Sequence, residues 1–265
     1  MQIFDRSSNV LCKAIPIAVL GASLGASPAV LADEAEARNL LKNMSDYMAE
    51  QKIFSFDYDA SLEVVTDDHQ KLMLASSGTL KLSRPDKIRL TRTGGFANVE
   101  MVFDGQTMTL LGKDANIYAQ AEMPGTLDHA VETLRVEYHK PVPGADLLAA
   151  NVYDVLMEGV IDVKDLGSGV IGGIECDHLA FRTEELDWQI WIAQGDQPHP
   201  CRYVITSKNV DQAPQYSVQI HDWQTGDQVA ADFAFENSTG AKKIDLEDLG
   251  GSDELPEHLA PGDAQ

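Results

Sequence analysis

The stretch from Ser55 to Val64, SFDYDASLEV, constrains this chain more than any other. Phe56, Tyr58, Ala60, Leu62 and Val64 alternate there with Ser55, Asp57, Asp59, Ser61 and Glu63. Successive side chains on a strand point to opposite faces, so the segment has one apolar face and one wet face. A helix cannot serve this pattern, because its period of 3.6 would spread the apolar residues around its circumference. The segment is a half-buried strand, and the rest of the chain must supply both a sheet and a cover for the apolar face.

The same period returns along the chain. Leu72 with Leu74, Leu80 with Leu82, Ile88 with Leu90, Val99 with Met101 and Phe103, and Met108 with Leu110 mark further strands. Ser83-Arg84-Pro85-Asp86, Gly94-Gly95 and Asp104-Gly105 separate them. Asp104-Gly105 has the composition of a two-residue hairpin turn. More strands are predicted at 159–166, 173–182, 187–193, 202–208 and 215–223, with a short one at 232–236.

Helical spacing is confined to two places. Over 33–52, Leu40, Leu41, Met44, Tyr47, Met48 and Gln51 form one stripe, with Asp33 placed to cap the start. Over 127–158, Leu127, Val131, Leu134 and Tyr138 are followed, after the Pro141 to Gly144 break, by Leu147, Leu148, Val152, Val155 and Leu156. The expected fold is mainly β (α+β): a curved antiparallel sheet or unclosed β-barrel, with the N-terminal helix and a helical lid over its concave side.

At the N-terminus, Arg6 and Lys13 precede AIPIAVLGASLGASPAVLA, whose apolar run is broken by Pro16, Gly21, Gly25 and Pro28. Val30 and Ala32 suit a small-residue cleavage site, so residues 1–32 read as a signal peptide cut after Ala32. The helix breakers and the acidic Asp33 and Glu34 that follow oppose a membrane anchor, and no stable membrane insertion is expected after cleavage. Acids outnumber bases 42 to 20, a formal charge of −22. Such a surface repels nucleic acid and anionic membranes. Residues 33–245 read as a single domain, and 246–265 as an acidic disordered tail.

Motifs for chemistry fail on their surroundings. GSGVIGG, Gly167 to Gly173, fits G-x-G-x-x-G, but IECDHLAFR follows it where a dinucleotide site needs a helix. A hairpin between two strands is the better reading. GASLG, Gly21 to Gly25, matches a nucleophile elbow yet lies inside the export segment. The seven histidines show no metal-ligand spacing. Asp57 and Asp59 share a polar strand face that Glu63 continues, which reads as a solvated surface. No catalytic residue, metal or cofactor is expected.

Two cysteines remain after export, Cys176 and Cys201. In an oxidising compartment an even pair reads as a disulfide. A simple meander, however, puts a strand between them and leaves them about 10 Å apart, out of bonding reach unless the chain bends near Pro198 and Pro200. Buried thiols are the other reading.

The block GGIECDHLAFRTEELDWQIWI, with QPHPCRYVIT and APQYSVQIHDW after it, resembles an uncharacterised family of predicted periplasmic proteins, a domain of unknown function. The order of an N-terminal helix, IFSFDYDASLEV, GTLKLSRPDKIRL, FDGQTMTL and a late FAFENSTGAKKIDL is similar to the wider superfamily of periplasmic outer-membrane lipoprotein carriers. That resemblance implies an unclosed antiparallel barrel with a helical lid and an apolar concavity that accepts acyl chains. It supplies no catalytic residues.

Two functional expectations follow. In the first, the exported chain is a non-enzymatic carrier of a lipid or other hydrophobic small molecule, with Phe56, Tyr58, Leu62, Leu82, Leu90, Met101, Phe103, Trp188 and Ile190 lining its cavity. In the second, those residues are filled core, and the acidic surface meets a periplasmic protein as an interaction or assembly module.

Overall fold

A computed structural model describes residues 34–246 apart from 96, 139–141, 227, 228, 230 and 231. The export segment 1–32 and the acidic tail from 247 onward lie outside the described residues. The expected helix is present as α1 (Glu34–Glu50), burying Ala37, Leu41, Met44 and Met48 along one stripe.

Eleven antiparallel strands follow the predicted periodicity in two meanders. The first comprises β1 (Ile53–Val65), β2 (Lys71–Ser83), β3 (Lys87–Gly94), β4 (Asn98–Phe103), β5 (Thr107–Gly112) and β6 (Ile117–Glu122). The second comprises β7 (Asp162–Ile171), β8 (Ile174–Arg182), β9 (Leu186–Ala193), β10 (Pro200–Ser207) and β11 (Gln215–Thr225). Between them run α2 (Leu127–Val136), a 3-10 turn (Ala145–Leu148) and α3 (Val152–Met157). With β12 (Lys242–Lys243) the strands make one sheet in the order β12-β6-β5-β4-β3-β2-β1-β11-β10-β9-β8-β7. The two end strands do not pair with each other, so the curved sheet stays unclosed, the expected class of fold.

Register explains which residues share the concave face. Phe54 stands opposite Leu82, Leu82 opposite Ile88, Ile88 opposite Phe103 and Phe103 opposite Met108, giving a row of large apolar side chains across five strands. Each is 0–2% exposed. In the second meander Val218, Tyr203, Ile190 and Leu179 form a comparable row. Trp188 stacks on Phe181 there, with centroids 3.9 Å apart.

Several local features differ from the sequence reading. β2 is one long strand where the leucine pairs suggested two short ones, and β6 is an additional strand. The Asp104-Gly105 connection spans three residues: Asp104 Oδ1 accepts from the amides of Gln106 and Thr107, both at 2.9 Å, and Gly105 has φ +95°. Gly172 and Gly173 alone separate β7 from β8, with φ +58° and +87°. Positive φ at both centres of a two-residue turn is the type I′ geometry that follows the twist of the flanking strands. GSGVIGG is thus a hairpin.

The strand expected at 232–236 is absent, and the segment lies instead across the convex face. Arg89 Nη2 donates to Ala234 O at 3.1 Å, and the Phe235 ring sits 5.1 Å from that of Tyr118. Lys242 and Lys243 reach the free edge of β6, where they pair in parallel with Ile117 and Tyr118, and Ile244 N donates to Tyr118 O at 2.9 Å.

Candidate functional site

The concave face empties from one end to the other because its side chains shrink. Beyond the filled row lies Phe56–Leu80–Leu90–Met101, then Tyr58–Gly78–Arg92, then Ala60–Ser76–Gly94. At Gly78 no side chain can fit: an added Cβ would stand 1.9 Å from Thr91 O and 2.7 Å from Tyr58 Oη. The missing side chain lets the Tyr58 ring cross β2, where its hydroxyl donates to Thr91 O at 2.9 Å.

Over these small rows sits the helical segment. The apolar stripe Leu127, Val131 and Leu134 of α2, with Val142, Leu147 and Leu148, lies over a partly open cavity of about 210 Å³ against the first meander and β11. Several polar contacts seat this cover. Leu127 N donates to Pro85 O at 2.9 Å, and Thr126 caps α2 by accepting from His129 N. Asp128 Oδ1 accepts from Ala150 N at 3.2 Å, and Arg135 pairs with Asp146 at 2.7 Å. Arg84, at the end of β2, donates from Nη1 to Leu148 O at 3.1 Å while its guanidinium lies 5.8 Å from the Phe54 ring centroid. Burial lowers the Arg84 pKa, although a guanidinium remains charged. Tyr153 N donates to Ser45 Oγ at 2.9 Å, fixing α3 on α1.

Five of the nine expected lining residues border this cavity: Phe56, Tyr58, Leu62, Leu90 and Met101. The other four are filled core. Leu82 and Phe103 belong to the buried row at the closed end, and Trp188 and Ile190 lie in the second meander, all between 0 and 4% exposed. The sequence reading missed Leu74, Ser76, Tyr216, Val218 and Ile220, which cross-strand register brings to the same space. It also missed Arg92, although a signal was present: Ile88, Leu90 and Arg92 are in phase on β3, so a charge occupies an apolar-face position.

Outside the cavity, register creates a cluster that spacing did not show. Ligand atoms of Asp57, His221 and Asp222 lie within 4.8 Å of one another. His221 Nδ1 bonds Asp222 Oδ2 at 2.8 Å, and this hydrogen bond raises the imidazole pKa. The bond favours the protonated ring, the form that cannot ligate a metal. The site is half-exposed and acidic, and nothing at it points to an ion.

The disulfide expectation for Cys176 and Cys201 is corrected: both are free, buried thiols. Cys201 sits at a bulge on β10 between Pro200 and Arg202, and the two cysteines share a small buried cluster with Ala193 of β9. Each thiol also donates to a carbonyl two residues earlier, Cys176 to Ile174 O at 3.4 Å and Cys201 to His199 O at 3.9 Å. Desolvation raises both thiol pKa values, so neither is a ready nucleophile.

The covered, apolar concavity thus belongs to an open antiparallel sheet with a helical cover. This chain belongs to the family described as predicted periplasmic protein (DUF2092), which matches residues 37–247. The compartment is the periplasm, as the family's description has it, and no helix among the described residues is long and apolar enough to cross a membrane. Comparison with curated proteins gives no match. Among solved structures, the lipoprotein LppX of Mycobacterium tuberculosis is 14% identical, with TM-score 0.46, over 76% of this chain and 100% of that one. A LolA superfamily protein of Nitrosomonas europaea is 11% identical, with TM-score 0.35, over 75% and 97%. The Pseudomonas aeruginosa MucA/MucB complex matches at 14% identity and TM-score 0.41, over 74% of this chain and 61% of that one. No property of the site follows from these likenesses.

Proposed function

We propose that this chain is an exported, non-enzymatic protein that binds or carries a hydrophobic ligand, a lipid or acyl chain, in the cavity under α2. On this reading residues 1–32 are removed on export, 33–245 act as one domain, and Phe56, Tyr58, Leu62, Leu90 and Met101 touch the ligand. The observation that carries it is the cavity of about 210 Å³, bordered mainly by apolar side chains, in a protein whose other concave half is packed. Apolar walls left in contact with water forgo about 25 cal/mol for every Å² that a ligand would cover. A ligand with matching apolar surface offsets that cost, whereas a pure assembly module has no use for it.

The test is to purify the protein from periplasm without detergent, extract it, and examine the extract by mass spectrometry. A stoichiometric lipid or acyl compound is expected, together with uptake of a fluorescent acyl probe by the stripped protein. An empty protein that also ignores the probe would return the chain to the alternative, an acidic interaction module with a closed core.

A further inference from the structure

We infer that the ligand is a single-chain amphiphile with an anionic headgroup, and that Arg92 holds that headgroup. This rests on the cavity being a ligand site, and it adds the chemical class.

The charge distribution is the first observation. The chain has 42 acids and 20 bases, yet among the described residues that border the cavity Arg92 alone is charged, and none of them is a carboxylate. Acids elsewhere on the surface are screened beyond about 10 Å, whereas a guanidinium at a low-dielectric wall acts on its immediate neighbours. Its five N–H groups form a planar fork that accommodates a carboxylate or phosphate alongside another partner.

Position is the second observation. Arg92 shares its row with Tyr58 and Gly78, between the apolar rows of Phe56 and Leu90 on one side and the small row of Ser76 and Gly94 on the other. Ser76 and the Tyr216 ring lie on the side of Arg92 away from Ile88, the ring 3.5 Å from where a Cβ on Gly144 would sit. The opposite end is closed by Ile88 and Met108. From Arg92 back to Ile88 is four residues of strand, about 13 Å. Beyond Arg92 the rows run through Ala60, Ser76 and Gly94 to the half-buried Leu62 and Leu74, so the cation stands at mid-length, with closed hydrocarbon on the Ile88 side to take a tail.

Size is the third. An engineered cavity of about 150 Å³ accepts one benzene, so about 210 Å³ takes one chain segment on the order of eight to ten carbons. Bundled acyl chains of a multi-tailed lipid exceed that volume. The shared chemistry is an anion on a single tail, whether its head is a carboxylate or a phosphate monoester.

Titration calorimetry on the purified, ligand-stripped protein with decanoate, decyl phosphate, decanol, decyltrimethylammonium and acetate tests this. One or both anionic probes are expected to bind at least about tenfold tighter than decanol, with the cation weaker still and acetate silent. Comparing decanoate with decyl phosphate identifies the head. Arg92→Gln should bring the preferred anion and decanol to equal affinity without weakening decanol, while Arg92→Lys keeps most of the preference. Raised salt should narrow the wild-type preference, since the pair is only half-buried. Equal binding of anions and alcohol by the wild type, or a preference that survives Arg92→Gln in a variant with an unchanged unfolding curve, overturns the assignment of Arg92 while leaving the cavity reading intact. If no tailed probe binds, both readings fall. Acetate binding as tightly as decanoate would make the site a small-anion site and overturn the amphiphile.

Discussion

The two meanders of the sheet have the same period and nearly the same apolar vocabulary, yet one is a filled core and the other a walled space. In β7 to β11 the concave rows are large at every level, Tyr203, Ile190 and Leu179 beside Trp188 and Phe181, and the buried stripe of α1 belongs to the same core. In β1 to β6 only the row from Phe54 to Met108 is packed to that standard; the rows beyond it pass through Gly78, Ser76 and Gly94. The difference lies in side-chain volume at positions the alternation treats as equivalent. A binding space in this fold arises where small residues recur in register on adjacent strands under a cover too wide to collapse into them.

The comparison breaks most readily at Ile190 and Leu90. Ile190→Ala opens a hole in a fully buried site and should cost about 4 kcal/mol, whereas Leu90→Ala enlarges an existing space and should cost about 1–2 kcal/mol. Urea unfolding of both variants checks this, and equal losses would mean that the two halves are packed alike.

Next in size is Gly78→Ala. With a Cβ 1.9 Å from Thr91 O, the strands or the Tyr58 ring must move, at a cost on the order of 3 kcal/mol. Tyr58→Phe, which removes only the hydroxyl bond to Thr91, should cost about 1 kcal/mol. Arg84→Leu tests the cover: losing the bond to Leu148 O should cost about 1 kcal/mol globally and speed amide exchange in 145–157 more than in β7 to β11. Uniform exchange would show that Arg84 does not seat the lid.

Acid should expose a further asymmetry. His178, stacked 4.0 Å from Trp191, and His199, stacked 5.0 Å from Trp223, both have pKa values lowered by burial. The unfolded chain then binds more protons than the native one below the ordinary histidine pKa of about 6.5, so stability falls as pH drops from there. Urea midpoints at pH 7 and pH 5 measure the slope, and replacing both histidines with Gln should flatten it. His221 acts with the opposite sign: its raised pKa, owed first to Asp222, gives stability that is complete below about pH 6.5 and lost as pH rises through the folded value. Solvent screening keeps that contribution below about 0.5 kcal/mol, the smallest effect here, and His221→Gln should remove it.

Much of this was legible in local pattern. Strand and helix types followed from periods of two and 3.6, because each reports which side of an element is dry. The stripe Leu127, Val131 and Leu134 already marked α2 as a cover for the sheet. The site was only partly legible. Phe56, Tyr58, Leu62, Leu90 and Met101 could be placed on the right face, but Leu82, Phe103, Trp188 and Ile190 carry the same local signal and are core. Nothing in a strand's own alternation reports the volume of its neighbours' side chains. Arg92 was visible as a charge in apolar phase on β3, although apolar periodicity alone does not select it.

By itself, then, the sequence determined the faces: which residues are dry, where the hairpin glycines turn the chain, and which segments must cover the sheet. Those are properties of one strand or one helix and follow from geometry within a few residues. Only the tertiary structure decided where the dry face is filled, which side chains from distant strands share a row, and that two thiols separated by β9 stay unbonded in one buried cluster. Such outcomes depend on register and on side-chain volumes summed across several strands, and no stretch of sequence holds that sum.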